Sequence, residues 1–195
     1  MGGGAYRKQI MTTYCDYVRE HPEDLFNKTY HDTQYGFPLE DDNLLFERLV
    51  LEINQAGLSW ITILKKADNF RRAYRNFEVD KVARFSETDR ARLLADAGII
   101  RNRLKINAAT ENAKRIQFLR AEYGSFKGWL DVHAQSPLAK DAWVKLFKQT
   151  FLFTGGEIVN EFLMSTGYLP GAHDKDCPVY RKIAKLKPAW MTIIS

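Results

Sequence analysis

The chain has 195 residues, of which 45% are apolar and 27% charged, and a formal net charge of +5. This is the balance of one soluble domain long enough to bury a core, and no apolar run approaches the ~18 residues of a membrane span. The mild positive charge permits a nucleic-acid partner without requiring one, and two cysteines with no secretion signal predict a reducing, cytoplasmic setting without a disulfide.

Residues 1–12 read as a flexible, glycine-containing tail ahead of a single domain over 13–195. Helices are then expected in chain order. The first clear apolar periodicity predicts a helix over 41–56. Trp60, Ile63, Leu64, Ala67, Phe70, Tyr74 and Phe77 recur at spacings of three and four, predicting one helix over 60–77 with Ser59 as its N-cap. Ser86-Glu87-Thr88-Asp89 is a capping box ahead of another helix, and a long helix is expected over 103–123. Ser136-Pro137 places a cap before a first-turn proline and opens a helix through about Gln149. A last helix is expected over 156–166, stopped by Gly167. Alternating strand patterns and internal repeats are missing from the reading, and the expected fold class is all-α.

The segment LLADAGIIRNRLKI sets Ala97-Gly98 between two helical runs, with Arg101, Arg103 and Lys105 directly after. Glycine allows a tight turn, and the next helix would offer free N–H groups and adjacent cations to a phosphate. The same pattern also describes an ordinary corner between two helices. The metal-binding residue types are equally sparse: Cys15 and Cys177, with His21, His31, His133 and His173. Cys177 follows His173 in an H-x3-C spacing, and two cysteines with two histidines can complete a closed tetrahedral zinc site. Spacing alone does not bring residue 15 beside residue 177, so free cysteines and unrelated surface histidines stay open as a reading.

Taken in order, YCDY at 14–17, YHDTQYGFPLEDD at 30–42, LEINQAGLSWITILKK at 51–66, DAGIIRNRLKI at 96–106 and HDKDC at 173–177 resemble the 3-methyladenine DNA glycosylase I family. That family belongs to the helix-hairpin-helix superfamily of base-excision repair enzymes, and the likeness runs from about Cys15 to Cys177. It implies a helix-hairpin-helix near 86–123, with Gly98, Arg101, Arg103 and Lys105 on DNA. It also implies one structural zinc per chain on Cys15, His31, His173 and Cys177, tying the two ends of the domain together. Tyr30, Glu52 and Trp60 would line the pocket for the damaged base, with Tyr17 and Tyr35 as further pocket residues. The chain departs from the family at Tyr17 and Tyr35, where tryptophan is usual, at Asn27, where tyrosine is usual, and at Ile53-Asn54.

Pattern alone makes Glu52 a solvated helix-edge residue, Trp60 a core residue and Tyr30 a packed aromatic. The resemblance reassigns Glu52 to catalysis and recognition: 3-methyladenine is cationic while joined to its sugar, and a carboxylate can pair with it where neutral adenine offers no such charge. An aromatic face adds about 0.5–2 kcal/mol of cation–π attraction. Strand-cleaving relatives in the superfamily use a lysine beside the hairpin. Asn102 holds roughly that place here, so hydrolysis without lyase activity is expected, and Glu157 and Glu161 are assigned no role. The expected partners are alkylated double-stranded DNA and the 3-methyladenine base, with no membrane, and the protein is expected to act as a monomer. Two rival readings are a zinc-stabilised module that binds lesions without excising them and a glycosylase of altered lesion range.

Overall fold

The structure, a computed structural model, describes residues 13–135 and 138–192. Its helices are α1 (Tyr14–Glu20), α2 (Leu25–Thr33), α3 (Asp42–Gln55), α4 (Trp60–Leu64), α5 (Ala67–Ala73), α6 (Val79–Val82), α7 (Glu87–Ala95), α8 (Arg103–Tyr123), α9 (Phe126–Ala134), α10 (Lys140–Thr150), α11 (Gly156–Ser165), α12 (Pro178–Lys185) and α13 (Ala189–Thr192). Among the described residues there is no strand, so the all-α expectation holds. The tail over 1–12 and the Ser136-Pro137 cap lie outside the described residues.

Local chemistry accounts for most helix ends. Asp41 accepts hydrogen bonds from the Asn43 and Leu44 amides and opens α3. Ser86 and Asp89 form the capping box of α7 as the sequence leads one to expect. Gly167, at φ +80°, follows the end of α11 in a conformation that L side chains rarely adopt. The helix expected over 60–77 is instead broken into α4, α5 and a turn over Arg75–Phe77 whose residues have positive φ. Tertiary packing overrides the periodicity there. The turn lays Phe77 flat against Tyr74, with ring centroids 5.5 Å apart, and both side chains are fully buried. Ser59 precedes α4 but does not cap it by a side-chain bond; its hydroxyl meets that of Thr62.

The molecule is organised around α3, whose residues Leu45 to Asn54 are all buried. Alanines 108, 109 and 113 on the buried face of α8 leave room for its neighbours to approach. Asp42, at the start of α3, accepts bonds from Arg120 of α8 and from the amides of Phe126 and Lys127, so one carboxylate anchors three helices. The main apolar cluster runs from Leu45 to Tyr168, and a second, smaller one contains Cys15, Cys177, Val179 and Ile183.

Gly36 joins the two regions. It has φ +80°, and a Cβ there would stand 2.8 Å from Ala172 Cβ and 3.3 Å from the His173 ring. Gly36→Ala should therefore lower unfolding free energy by about 2–4 kcal/mol, combining a left-handed backbone with overpacking. Denaturant unfolding of the two proteins checks this, and equal midpoints would contradict it.

Candidate active site and metal centre

Four aromatic rings from α1, α2, the following turn and α4 converge next to α3. Tyr30 lies 5.0 Å from Trp60 and 5.7 Å from Tyr35 between ring centroids, and Tyr14 meets Tyr35 edge-on at 5.3 Å. They wall a cavity of about 640 Å³ that also takes in Thr13, Cys15, Glu52, Gln55, Glu157, Glu161, Ala172 and Asp174. Ligand pockets of this size with aromatic walls and a few convergent polar groups are the usual form of a small-molecule site.

Glu52 faces this cavity from the last turn of α3 and is only 4% exposed, so the helix-edge reading of its pattern is overturned. Burial pushes its carboxyl up to about 8; Arg48 opposes that, Glu161 adds to it, and a hydrogen bond with Ser165 opposes it. The Arg48 guanidinium donates to the Tyr30 hydroxyl at 2.8 Å and to the Ser165 carbonyl at 3.2 Å, and lies 4.9 Å from the Tyr30 ring centre. Tyr30 is thus held from α3 while its ring remains on the cavity wall.

The other expected pocket residues separate. Tyr35 and Trp60 stand on the wall with Tyr30, and Tyr35 donates its hydroxyl to Glu161 at 3.1 Å. Tyr17 is 37% exposed, bonds Asp24 and does not line the cavity. Tyr14, which had no assigned role, lines it instead. Its hydroxyl donates to the Asn27 side chain at 2.9 Å, and Asn27 is itself fixed by Asp24. Asparagine at 27 presents no ring, and the bond it accepts holds Tyr14 on the cavity wall. The Ile53-Asn54 departure is in the core and not on the cavity wall: Ile53 is 1% exposed, and Asn54 donates to the Val50 carbonyl.

Cys15, His31, His173 and Cys177 come together, all buried, with their ligand atoms within 4.8 Å of one another. Cys15 Sγ lies 3.3 Å from His31 Nε2 and 3.6 Å from His173 Nδ1; Cys177 Sγ lies 3.8 and 3.7 Å from the same two nitrogens. The outer ring nitrogens are held by Asp32 and by the Tyr35 carbonyl, each at 2.8 Å. The group could hold a metal ion, and its outer contacts are those that orient histidine ligands. His21 sits apart, exposed and beside Glu23.

The hairpin comprises α7, a turn and α8. Asn102 is the N-cap of α8, accepting from the Leu104 and Lys105 amides. Gly98 is needed for close approach, since a Cβ would come within 3.2 Å of Asn69. Arg101 and Arg103 are exposed. Lys105 is turned inward, 5% exposed, and its ammonium donates to the Asn54 and Ala56 carbonyls at the end of α3. It is engaged with the helix that carries Glu52, away from the surface where a phosphate would lie.

The family model described as methyladenine glycosylase matches residues 21–139, which include His31, Glu52, Trp60 and the hairpin. The chain belongs to this family. It is 37% identical to DNA-3-methyladenine glycosylase 1 of Escherichia coli (strain K12), across 85% of this chain and 96% of that one. Identity to the DNA-3-methyladenine glycosylase of Haemophilus influenzae is 32%, across 86% and 98%. A solved structure of 3-methyladenine DNA glycosylase I from Staphylococcus aureus, described as the structural basis of 3-methyladenine recognition, superposes with a TM-score of 0.72 at 34% identity, covering 80% of this chain and 92% of that one. The protein is therefore a glycosylase, and its fold is that of the 3-methyladenine DNA glycosylase I family.

In this glycosylase the buried Glu52 couples stability to pH. Its folded-state value lies above the unfolded one, so its contribution is fully present below about 4.5 and is lost as pH rises through about 8. Glu52→Gln removes that loss. The variant should melt about 4 °C or more above the parent at pH 8, at about 2–4 °C per kcal/mol for this size, and the gap should close toward pH 5. Thermal melts across that range decide it; a gap that does not depend on pH would count against the buried acid as its source.

Proposed function

We propose that this glycosylase binds alkylated duplex DNA, draws a 3-methyladenine nucleotide out of the stack into the aromatic cavity, and hydrolyses its N-glycosidic bond. Free base and an abasic site would be the products, with water as nucleophile and no strand cleavage. The observation that carries this reading is Glu52, a carboxylate buried in an aromatic-walled cavity with no Lys or Arg on that wall among the described residues. A base inside a duplex cannot be reached in place, so a pocket of this depth requires extrusion.

The residues divide the work by chemistry. Tyr14, Tyr30, Tyr35 and Trp60 offer ring faces to a flat cation. Glu52 pairs with its positive charge, and that charge in turn favours the ionised carboxylate. A neutral adenine provides nothing to offset the desolvated carboxylate and is refused. As the bond breaks, the same carboxylate steadies the positive charge that grows on the sugar side. Arg101 and Arg103, exposed beside the α8 N-terminus, would make the phosphate contacts. Leu58, 40% exposed in the turn between α3 and Trp60, is an apolar side chain available to fill the gap left by an extruded base. Among the described residues of the hairpin, Asn102 caps α8 and Lys105 is engaged with α3, which supports hydrolysis without lyase chemistry.

The Cys/His group suits zinc. The sulfur-to-nitrogen distances of 3.3 to 3.8 Å bracket the ~3.5 Å edge of a tetrahedron built from usual zinc bond lengths. Cys15, His31, His173 and Cys177 would hold the ion as a closed structural shell linking α1 and α2 to the segment before α12. Elemental analysis should find one zinc per chain, lost in the Cys15→Ser, Cys177→Ser double variant; a metal-free native protein would overturn this.

Excision is tested by incubating the protein with methylated duplex DNA and measuring free 3-methyladenine. Release is expected. Glu52→Ala should lower kcat/KM by about 100-fold or more, as for loss of one electrostatic contact in an enclosed site. Since the free enzyme holds Glu52 up near 8, kcat/KM of the parent should climb with pH through that value. Unchanged release by Glu52→Ala would remove Glu52 from the mechanism.

A further inference from the structure

The cavity holds more acid than a single recognition carboxylate requires. Glu52, Glu157, Glu161 and Asp174 all line it, and among the described residues no lysine, arginine or histidine does. Two of these have outside partners: Glu157 meets Lys140 at 3.3 Å, and Asp174 accepts from the Thr13 hydroxyl at 2.6 Å. Glu161 differs. It projects from α11 between the buried Val159 and Phe162, and its Oε2 accepts the Tyr35 hydroxyl at 3.1 Å, so it is fixed to one of the rings that wall the cavity. Among the described residues it forms no ion pair. Burial raises the carboxyls of both Glu52 and Glu161; Glu161 adds to the rise at Glu52, while at Glu161 the bond from Tyr35 opposes the rise and Glu157 adds to it.

We infer that Glu161 is a second specificity-determining carboxylate, acting with Glu52 on the extruded base so that the cavity selects by charge. The inference rests on the proposed excision of 3-methyladenine and adds a residue to it. Tyr35 orients Glu161 by its hydroxyl while its ring stacks toward the base. With two acids on one wall, each pushed by burial toward its neutral form, a cationic alkylated purine favours their ionised forms and gains an attractive charge from each. A neutral base gains neither. Placing the second acid on α11 also sets it on a different element from Glu52, so the base is met by carboxylates from two helices.

The test compares the parent with Glu161→Gln and Glu161→Asp in two assays. The first is single-turnover release of 3-methyladenine from methylated duplex DNA. The second is the affinity for a duplex carrying 3-deaza-3-methyladenine, a neutral base of the same shape. Glu161→Gln should slow release by about tenfold or more, from loss of one charge in a low-dielectric site, and leave the neutral-duplex affinity within about twofold. Glu161→Asp, which keeps the charge, should retain most of the rate. Release by Glu161→Gln at the parental rate would overturn the inference. So would equal rates for the Gln and Asp variants, or a parallel fall in both assays, because each would show that charge is not what the residue supplies. A parent that releases no 3-methyladenine would instead defeat the reading of the site as a 3-methyladenine pocket.

Discussion

A helix buried along ten consecutive residues has no water to solvate its polar groups, and α3 is such a helix. Each polar side chain on it must find a partner inside the protein. Glu47 is met by Arg71, Arg48 by Tyr30 and the Ser165 carbonyl, and the carbonyls at the helix end by Lys105. Glu52 has neighbours but no ion pair of its own, and burial dominates its chemistry. The fold tolerates a carboxylate that would ordinarily be neutralised or replaced, and it does so where α3 borders the aromatic-walled cavity. Strong perturbation in a cleft, with a stated physical cause, is a mark of a working site.

The same economy of contacts ties three regions to that point. Lys105, at the start of α8, reaches the end of α3, while Lys66 and Asn69 bond the carbonyls of the Ala97-Gly98 turn. The hairpin is therefore braced directly against the helix and turn that present Glu52, Leu58 and Trp60. On the other side, Tyr35 gives its carbonyl to His173 and its hydroxyl to Glu161. One residue thus connects the Cys/His group to the acidic wall. A shift at either the hairpin or the cluster would be felt at the cavity through single, identifiable bonds.

Much of this was legible in the residues, but unevenly. Capped helices were, because Ser86 and Gly167 act on their own neighbours and need no tertiary help. The break at Arg75–Phe77 was not, because the rings that force it pack against one another across turns. Periodicity also misplaced Glu52: an amphipathic reading assumes that a polar residue on a helix looks at water, and α3 has no such face. Lys105 failed as a surface cation for the converse reason, since its long stem lets the ammonium reach backbone carbonyls in the interior. The Cys15–Cys177 juxtaposition spans almost the whole chain, so only the family resemblance, never spacing, could point to it. Tyr14 was hidden by the departure at Asn27, whose consequence is a hydrogen bond that no motif displays.

Charge is finally distributed against the average. The chain carries a net +5, yet among the described residues its cavity wall bears four carboxylates and no cation. A uniformly basic surface would attract the DNA backbone and its phosphates equally well into any opening. On the proposed function, an acidic cavity within a basic protein would separate two tasks: phosphates would meet the exposed arginines of the hairpin and be disfavoured in the pocket. The pocket would then admit a base, and among bases favour one that carries positive charge. Recognition of the duplex and selection of the lesion would use opposite signs of the same force, so that neither weakens the other.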